Sequence, residues 1–464
     1  MSKDDTETAA VSRLTRRDAL TLLCGGALGI CDAVRNPARA VVELDINQAQ
    51  LRQIPIAIVP FQTLGGGTSP LSQLITDIVT ANLQRSGLFR IVERAAFIER
   101  TASMDRPPRF ADWRIINAEA LVIGRVGETG DGRIRAEFRL WDVIQGKQLS
   151  GEQFFASAAN ARRVGHIVSD AIYKPLIGGS GYFDTRIVFI HETGPKNARA
   201  KNLAIIDQDG ANFRQLTQGQ NLILTPRFSP STQEITYMVY NKAGQPRVVL
   251  RDLQTGQEEV VGNIPGMTFA PRFSPDGKGI VLSRQEGGNS NLFYMDLRTR
   301  QQVRLTNTPA IDTGPCFSPD GRLIVFESDR AGSQQLYVMN RDGGDQRRIS
   351  FGDGTYATPV WSPRGDLIAF TKRSRGRFLI GVMKTDGTGE RVLTEGFHNE
   401  GPTWAPNGRV LMFFRESPGP EGGPKLYTID FTGYNERLVE TVSYTHLRAH
   451  ETPEHLVCRL LLEK

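Results

Sequence analysis

The side chains that could do chemistry are few, and none falls into a spacing that chemistry would use. Ser180 lies among glycines, but Tyr182 stands where a nucleophile elbow requires its last glycine. His450-Glu451 resembles the start of a zinc-protease helix. The second histidine, His455, comes one residue too late to share its face, and Pro453 disfavours the helix. Gly65-Gly66-Gly67 lacks the Gly-Lys-Ser/Thr ending and the GxGxxG spacing of a phosphate loop, so it reads as a flexible turn. His191 and Glu192, at a strand end, read as surface residues rather than an acid–base pair. Cys24, Cys31, Cys316 and Cys458 show no ligand spacing and the six histidines are scattered, so neither a metal site nor a disulfide framework is expected. Cys316 reads as a small apolar filler. The expectation is a protein without catalytic residues, metal or cofactor.

What does recur is a Pro-x-aromatic-Ser-Pro motif. It reads PRFSP from Pro226, PRFSPDG from Pro271, PCFSPDG from Pro315, PVWSPRG from Pro359 and PTWAPNG from Pro402, with starts 45, 44, 44 and 43 residues apart. That period is one four-stranded propeller blade, of WD40-like length. Each copy has one grammar: an inner strand ending at Ser-Pro or Ala-Pro, a tight turn, an apolar strand, a strand such as QLYVMNR from Gln335, and a fourth ending near Leu-Thr. The second, third and fourth strands occur six times, because RIVFIHE from Arg186 and its successors supply an earlier set, whereas the inner strand occurs five times. Six blades follow, if the chain's end supplies the missing inner strand to the first.

The rest of the chain is organised around that ring. Residues 1–40 read as an export signal: Arg13, Arg16 and Arg17 precede an apolar run from Ala19 to Ile30 that is too short to span a bilayer, and Ala38-Arg39-Ala40 offers cleavage after Ala40. General secretion and twin-arginine export both fit. Residues 41–178 alternate strand and helix and form an α/β domain. Ser69 caps a helix whose core face carries Leu71, Leu74, Ile75, Ile78, Val79 and Leu83, and a later helix carries Val164, Ile167, Val168, Ala171, Ile172 and Leu176. Gly178 to Gly181 form a flexible joint to a propeller spanning 182–441. The fold class is therefore an α/β domain followed by an all-β six-bladed propeller. The net charge of +6 is spread thinly, without basic runs or basic–aromatic interleaving, which argues against nucleic acid as a partner.

A propeller's working surface is the mouth of its channel, ringed by the stretches that lead into the inner strands. These stretches are 222–225, 267–270, 310–314, 354–358 and 397–401. They offer Met267, Phe269 and Tyr356 beside the acids Asp312 and Glu400 and the hydroxyls Thr225, Thr268, Thr313 and Thr358, a set suited to a protein or peptide contact. The competing class is a hydrolase or lyase with a channel site, or the regulatory propeller of a peptidase. No inner strand carries a histidine, and the nearest, His398, lies on a mouth stretch.

Export signal, α/β domain and PxFSPDG repeats with LYVMN-type third strands, in that order and without a hydrolase domain, resemble the TolB family of the periplasmic Tol-Pal system over roughly residues 41–440. The resemblance implies a monomeric, non-enzymatic adaptor that binds the lipoprotein Pal over the propeller mouth and TolA through the first residues of the mature chain. Further outer-membrane or peptidoglycan-associated partners are also implied, in support of outer-membrane integrity and constriction at division. It places Met267, Thr268, Phe269 and Thr313 at the Pal contact, and the TolA contact in the segment from Val41 to Gln53. There Val42, Leu44 and Ile46 alternate with Glu43 and Asp45, a pattern that can add a strand to a partner's sheet or pair within its own domain.

The departure lies at the end. Residues 442–464 have neither the motif nor the blade periodicity and resemble translated adapter read-through, so the tail is expected not to be native sequence and the first blade to lack its inner strand. Leu456, Val457, Leu460 and Leu461 keep helical spacing, the alternative for this stretch.

Overall fold

The computed structural model describes residues 52–100, 102–193, 200–219, 222–240, 245–261, 268–418, 423–439 and 455–463; for 268–269 and 455–463 it describes the backbone only. The export signal with Ala40, the segment from Val42 to Ile46 and Met267 lie outside the described residues.

The α/β domain is a mixed sheet under two long helices. Strands β1 (Ile54–Ile58), β2 (Gln62–Thr63), β3 (Phe89–Ile91), β4 (Ala120–Glu128), β5 (Arg133–Asp142) and β6 (Lys147–Ser157) form one sheet in the order β3-β1-β4-β5-β6, with β2 beside β4. β1 runs parallel to β3 and β4, and β4, β5 and β6 are antiparallel. Helix α1 (Pro70–Arg85) starts where expected: Ser69 accepts from the Ser72 backbone, Ser72 accepts from Ser69 in return, and Pro70 fills the first turn. A short helix α2 (Phe110–Ile115) follows, and α3 (Ala161–Ile177) packs across α1.

Two expectations change here. The buried face of α3 is Val164, Gly165, His166, Val168, Ser169, Ile172 and Tyr173, while Ile167, Ala171 and Leu176, like Leu71 and Leu74 of α1, are only half-buried. The helix is rotated because Gly165 lies against Ile78, and because His166 and Ser169 bond to Asn82 of α1. The joint to the propeller is also pinned rather than flexible. Gly178 ends α3 in the left-handed conformation, the Asp170 carboxylate accepts from the Phe183 (2.8 Å) and Asp184 (3.1 Å) backbones, and Tyr182 and Phe183 are buried against Tyr173.

The propeller has six four-stranded antiparallel blades. From the channel outward, blade 2 is Leu222–Phe228, Glu234–Tyr240, Pro246–Asp252 and Glu258–Val260. Blade 3 runs Thr268–Phe273, Gly279–Glu286, Asn289–Asp296 and Gln302–Arg304, and blade 4 Asp312–Phe317, Leu323–Ser328, Gln335–Asn340 and Arg347–Arg348. Blade 5 is Thr355–Trp361, Leu367–Ser374, Arg377–Lys384 and Arg391–Gly396, and blade 6 His398–Trp404, Val410–Glu416, Pro424–Asp430 and Arg437–Leu438. Inner strands end at an aromatic residue just before Ser-Pro or Ala-Pro, as the repeat grammar requires. Apolar clusters join neighbouring blades: Val188, Ile190, Leu203 and Ile205 of blade 1 meet Ile223, Phe228, Ile235 and Tyr237.

Blade 1 overturns the expectation of an open ring. Its strands Arg186–Thr193, Ala200–Asp207 and Arg214–Gln215 are completed on the channel side by His455–Glu463, which pairs antiparallel with Arg186–Thr193. The tail is thus neither helical there nor unpaired. Strand pairing uses main-chain groups, so an open edge accepts an extended segment that lacks the repeat motif. Ile187 and Phe189 also pack on Met412 and Phe414 of blade 6, which closes the circle through side chains as well.

Candidate interaction site at the propeller mouth

Every inner strand of blades 2 to 6 has a bulge at the same place. Pairing with the second strand shifts after Leu224, Phe269, Thr313, Ala357 and Glu400. The next residue, directly before the motif's first proline, has positive φ in all five: Thr225 (54°), Ala270 (49°), Gly314 (61°), Thr358 (48°) and Gly401 (66°). Left-handed backbone is unfavourable for a β-branched residue, and pre-proline residues avoid helical conformations, so Thr225 and Thr358 store strain that the surrounding blades hold in place. Residues 222–225, 268–270, 312–314, 355–358 and 398–401 of the mouth stretches are therefore the first halves of bent strands.

The bend opens the channel into two chambers. The mouth chamber, of about 340 Å³, lies at the level of the bulges and is lined by Thr313, Thr358, Glu327, Arg227 and Arg272 among others. The second, of about 670 Å³, lies at the Ser-Pro end. The α/β domain packs at that far end: Ala405 and Val410 join its core, Asn435 donates to the Arg85 carbonyl (2.8 Å) and Gln208 to Asn82 (3.1 Å). The mouth faces away from it.

The structure sorts the expected mouth residues. Thr313 and Thr358 line the chamber; Thr313 Oγ1 donates to Glu327 (2.6 Å), and the other Glu327 oxygen accepts from the Thr358 backbone (2.7 Å). Against the expectation that no inner strand carries a histidine, His398 opens the inner strand of blade 6 and His455 that of blade 1; His398 Nε2 lies 3.3 Å from half-buried Glu400 and Nδ1 3.2 Å from Glu416. Thr268 and Phe269 lie in the bent inner strand of blade 3. Three others are turned away. Asp312 has no exposed surface and is held by Arg330, Tyr356 is fully buried with its hydroxyl on Glu390 (2.7 Å), and Thr225 is buried with no partner for Oγ1 among the described residues. Successive strand residues face opposite ways, so half of any mouth stretch points into the blades.

What sequence reasoning missed are the apolar groups on the mouth-side face: Leu222 (39% exposed), Ile311 (49%), Phe351 (72%) and Phe397 (62%), from four different stretches. An aromatic set among turn residues, as in Ser350-Phe351-Gly352-Asp353-Gly354, was the available signal.

Elsewhere, His191 and Glu192 are buried, against the surface expectation: Glu192 pairs with Lys201, and the His191 ring meets Phe213 at 5.1 Å. Cys316 is buried in the wall of the second chamber, Sγ 3.5 Å from the Trp361 backbone nitrogen. The scattered histidines conceal one constellation: buried His166 lies with Asp207 and Asp209 where α3 meets blade 1, Nε2 at 3.9 and 3.8 Å from their carboxylates. Its hydrogen bonds oppose a metal. Asn82 Oδ1 accepts from Arg85 and Gln208, so Asn82 Nδ2 faces His166 Nδ1 at 2.9 Å and Nδ1 must accept. The proton of the neutral ring then sits on Nε2, where a metal would need the lone pair. Burial pushes the His166 pKa down to about 4 and holds Asp207 above the usual carboxylate range.

Fold and site together define a six-bladed propeller with an appended α/β domain and an open, partly apolar channel mouth. The profile of the TolB amino-terminal domain matches residues 42–149, and that of the TolB β-propeller domain matches residues 173–447. The crystal structure of TolB from Acinetobacter baumannii superposes with a TM-score of 0.72 at 30% identity, covering 83% of this chain and 93% of that one. A putative TolB from Agrobacterium tumefaciens matches with a TM-score of 0.43 at 19% identity, covering 55% and 89%. The chain belongs to the TolB family, non-catalytic, protein-binding propellers of the periplasmic Tol-Pal system. Among the described residues, no helix is long and apolar enough to cross a membrane.

Proposed function

We propose that this chain is the adaptor of a Tol-Pal envelope system, exported with cleavage after Ala40. Its propeller mouth docks Pal, and the segment from Val41 to Gln53 docks TolA. It thereby supports outer-membrane integrity and constriction at division. The observation that carries the reading is the mouth-side face: four large apolar side chains stand exposed there, around a chamber that the protein's own α/β domain leaves open. Such groups on one face of a monomer mark a protein contact. Family membership supports the partner class.

Calorimetric titration of the mature protein with the soluble domain of Pal tests the first contact. Saturable one-to-one binding is expected; none by a folded protein sinks it. Deleting residues 41–50 is expected to abolish capture of TolA and to leave the protein folded. Unchanged capture removes the second contact.

A further inference from the structure

Lys372, Arg373, Arg375 and Arg377 gather four cations within six residues, against the expectation of thinly spread charge. The fold sets them on one hairpin, which joins the second and third strands of blade 5, Leu367–Ser374 and Arg377–Lys384, on the mouth side. Two of the four are engaged within the blade: Lys372 donates to Glu390 (2.6 Å), and Arg377 pairs with Glu395. Arg373 and Arg375 are exposed, and among the described residues neither makes an ion pair or a side-chain hydrogen bond; Arg373 rests against the Phe378 ring, 5.6 Å from its centre. The turn is also strained at Arg375. Ser374 pairs with Arg377 across two residues, Arg375 (φ 51°) and Gly376 (φ 76°), that are both left-handed. Blade 3 makes the same turn between Glu286 and Asn289 with Gly287 (58°) and Gly288 (94°), the residue type which that backbone favours. A glycine would serve the fold equally well in blade 5. Arg375 thus holds an unfavourable backbone while its side chain gives the fold no polar contact, and strain kept at an exposed, unpartnered group points to a contact outside the molecule.

The surroundings say what that contact is. A hollow of about 410 Å³ beside the hairpin is lined by Arg373, Ser374 and Arg375 on one side and by Asp353, Gly354 and Thr355 on the other, two cations against one carboxylate. Exposed rings of the mouth face stand on both flanks: a Cβ at Gly352, next to Phe351, would lie 2.9 Å from Lys372 Nζ, and Gly396, next to Phe397, pairs with Phe378. A guanidinium presents its donors in a planar fork that matches a carboxylate. We propose that this hairpin is a cationic rim of the docking face, where Arg373 and Arg375 pair with acidic side chains that the protein partner carries beside the apolar groups it places on Phe351 and Phe397. The proposal rests on the reading of the mouth as the docking face. Exposed rim charges act on the rate of encounter and its salt dependence more than on final affinity. A protein fits better than an anionic membrane surface, because two free cations set among rings and acids fall short of the roughly four to eight that a lipid surface recruits.

The test is stopped-flow association of the full-length mature protein with the soluble domain of Pal, for the unaltered chain, Arg375→Gly, Arg373→Gln and the double variant. At about 50 mM salt the double variant is expected to associate about tenfold more slowly than the unaltered protein, and at about 500 mM salt, where exposed charges are screened, at nearly the same rate. Arg375→Gly alone is expected to hold or raise the thermal midpoint, because glycine relieves the turn, while it slows association. A lowered midpoint would show that Arg375 serves the fold, and the proposal falls. Equal rates for the double variant and the unaltered protein at both salt concentrations, or a defect that high salt does not relieve, overturn the proposal and leave docking at the mouth standing. No binding of Pal by the folded, unaltered protein removes the docking reading and the proposal with it. If the unaltered protein binds phosphatidylglycerol vesicles, the double variant does not, and Pal association is the same for both, the arginines serve a membrane surface and the proposal is wrong.

Discussion

Arg330 places Nη2 3.0 Å from each carboxylate oxygen of Asp312, inside blade 4. The guanidinium also lies against two aromatic rings, 5.3 Å from the Phe326 ring centre and 4.9 Å from that of Tyr337. Asp312 is therefore part of what holds the mouth-side half of its strand in place, not a group offered to a partner.

Replacing Asp312 by Ala leaves that guanidinium without its partner in a packed site. A loss of about 3 kcal/mol in unfolding free energy is expected, as for other broken buried pairs. Urea denaturation of the Asp312→Ala variant measures it. A loss under about 1 kcal/mol, the value of an exposed ion pair, would show that the pair is solvated in solution.

The turns between third and fourth strands supply an internal comparison. Gly343, Gly387 and Gly433 occupy equivalent places in blades 4, 5 and 6, each with φ of +91°. A Cβ at Gly387 would lie 2.0 Å from the Ile349 carbonyl oxygen of the preceding blade, and one at Gly343 2.3 Å from that of Leu305, whereas at Gly433 the nearest atom is 3.6 Å away. Gly433→Ala should cost only the backbone strain, roughly 1–2 kcal/mol. Gly387→Ala and Gly343→Ala must also displace a neighbouring blade, so their urea midpoints should fall well below that of Gly433→Ala. Equal midpoints for all three would mean that the blades shift apart freely.

Much of this architecture was legible because each blade repeats one grammar: proline ends the inner strand and glycine turns the chain, at a constant period. The bulge was not legible. The residue carrying it is Thr, Ala, Gly, Thr or Gly, and the general bias of pre-proline residues points away from the conformation it adopts. Nor could spacing alone tell that Thr313 and Thr358 look into the channel while Asp312 and Tyr356 look into the blades, because that depends on where the pairing shifts. Closure by His455–Glu463 was missed for another reason. Main-chain pairing leaves no motif. His166, Asp207 and Asp209 come together only once α3 is docked on blade 1, and no local spacing encodes that docking.

The exposed aromatics of the mouth face separate docking from folding. Phe351 lies under the Arg348 guanidinium (5.1 Å) and Phe397 precedes the inner strand of blade 6, and neither is buried. Phe351→Ser and Phe397→Ser should leave the thermal midpoint within about a degree, since little apolar area is lost from the interior. If partner docking buries these rings, each should weaken Pal binding by about 1–3 kcal/mol in calorimetry. Binding unchanged in both would move the contact elsewhere on the propeller.

The last prediction concerns the seam between the domains. His166 is buried on α3, facing Asp207 and Asp209 of blade 1 with Arg162, Asp184 and Arg85 close by, and its pKa in the fold is lowered to about 4 by desolvation first. Above about pH 6.5 the ring is neutral in both folded and unfolded chains, and the site carries no penalty. As pH falls below that value the unfolded chain takes a proton that the folded chain refuses. Stability drops until about pH 4, where the folded ring protonates too, a total loss on the order of 3 kcal/mol. Asp207 acts with the opposite sign: its carboxyl, raised mainly by burial, takes its proton earlier in the fold than in the unfolded chain, which offsets part of the loss. His166→Gln keeps a hydrogen-bonding side chain but cannot titrate. Its stability difference from the unaltered protein should therefore shrink or reverse between pH 7 and pH 4.5, and a difference constant across that range would show that His166 does not sense protons in the fold.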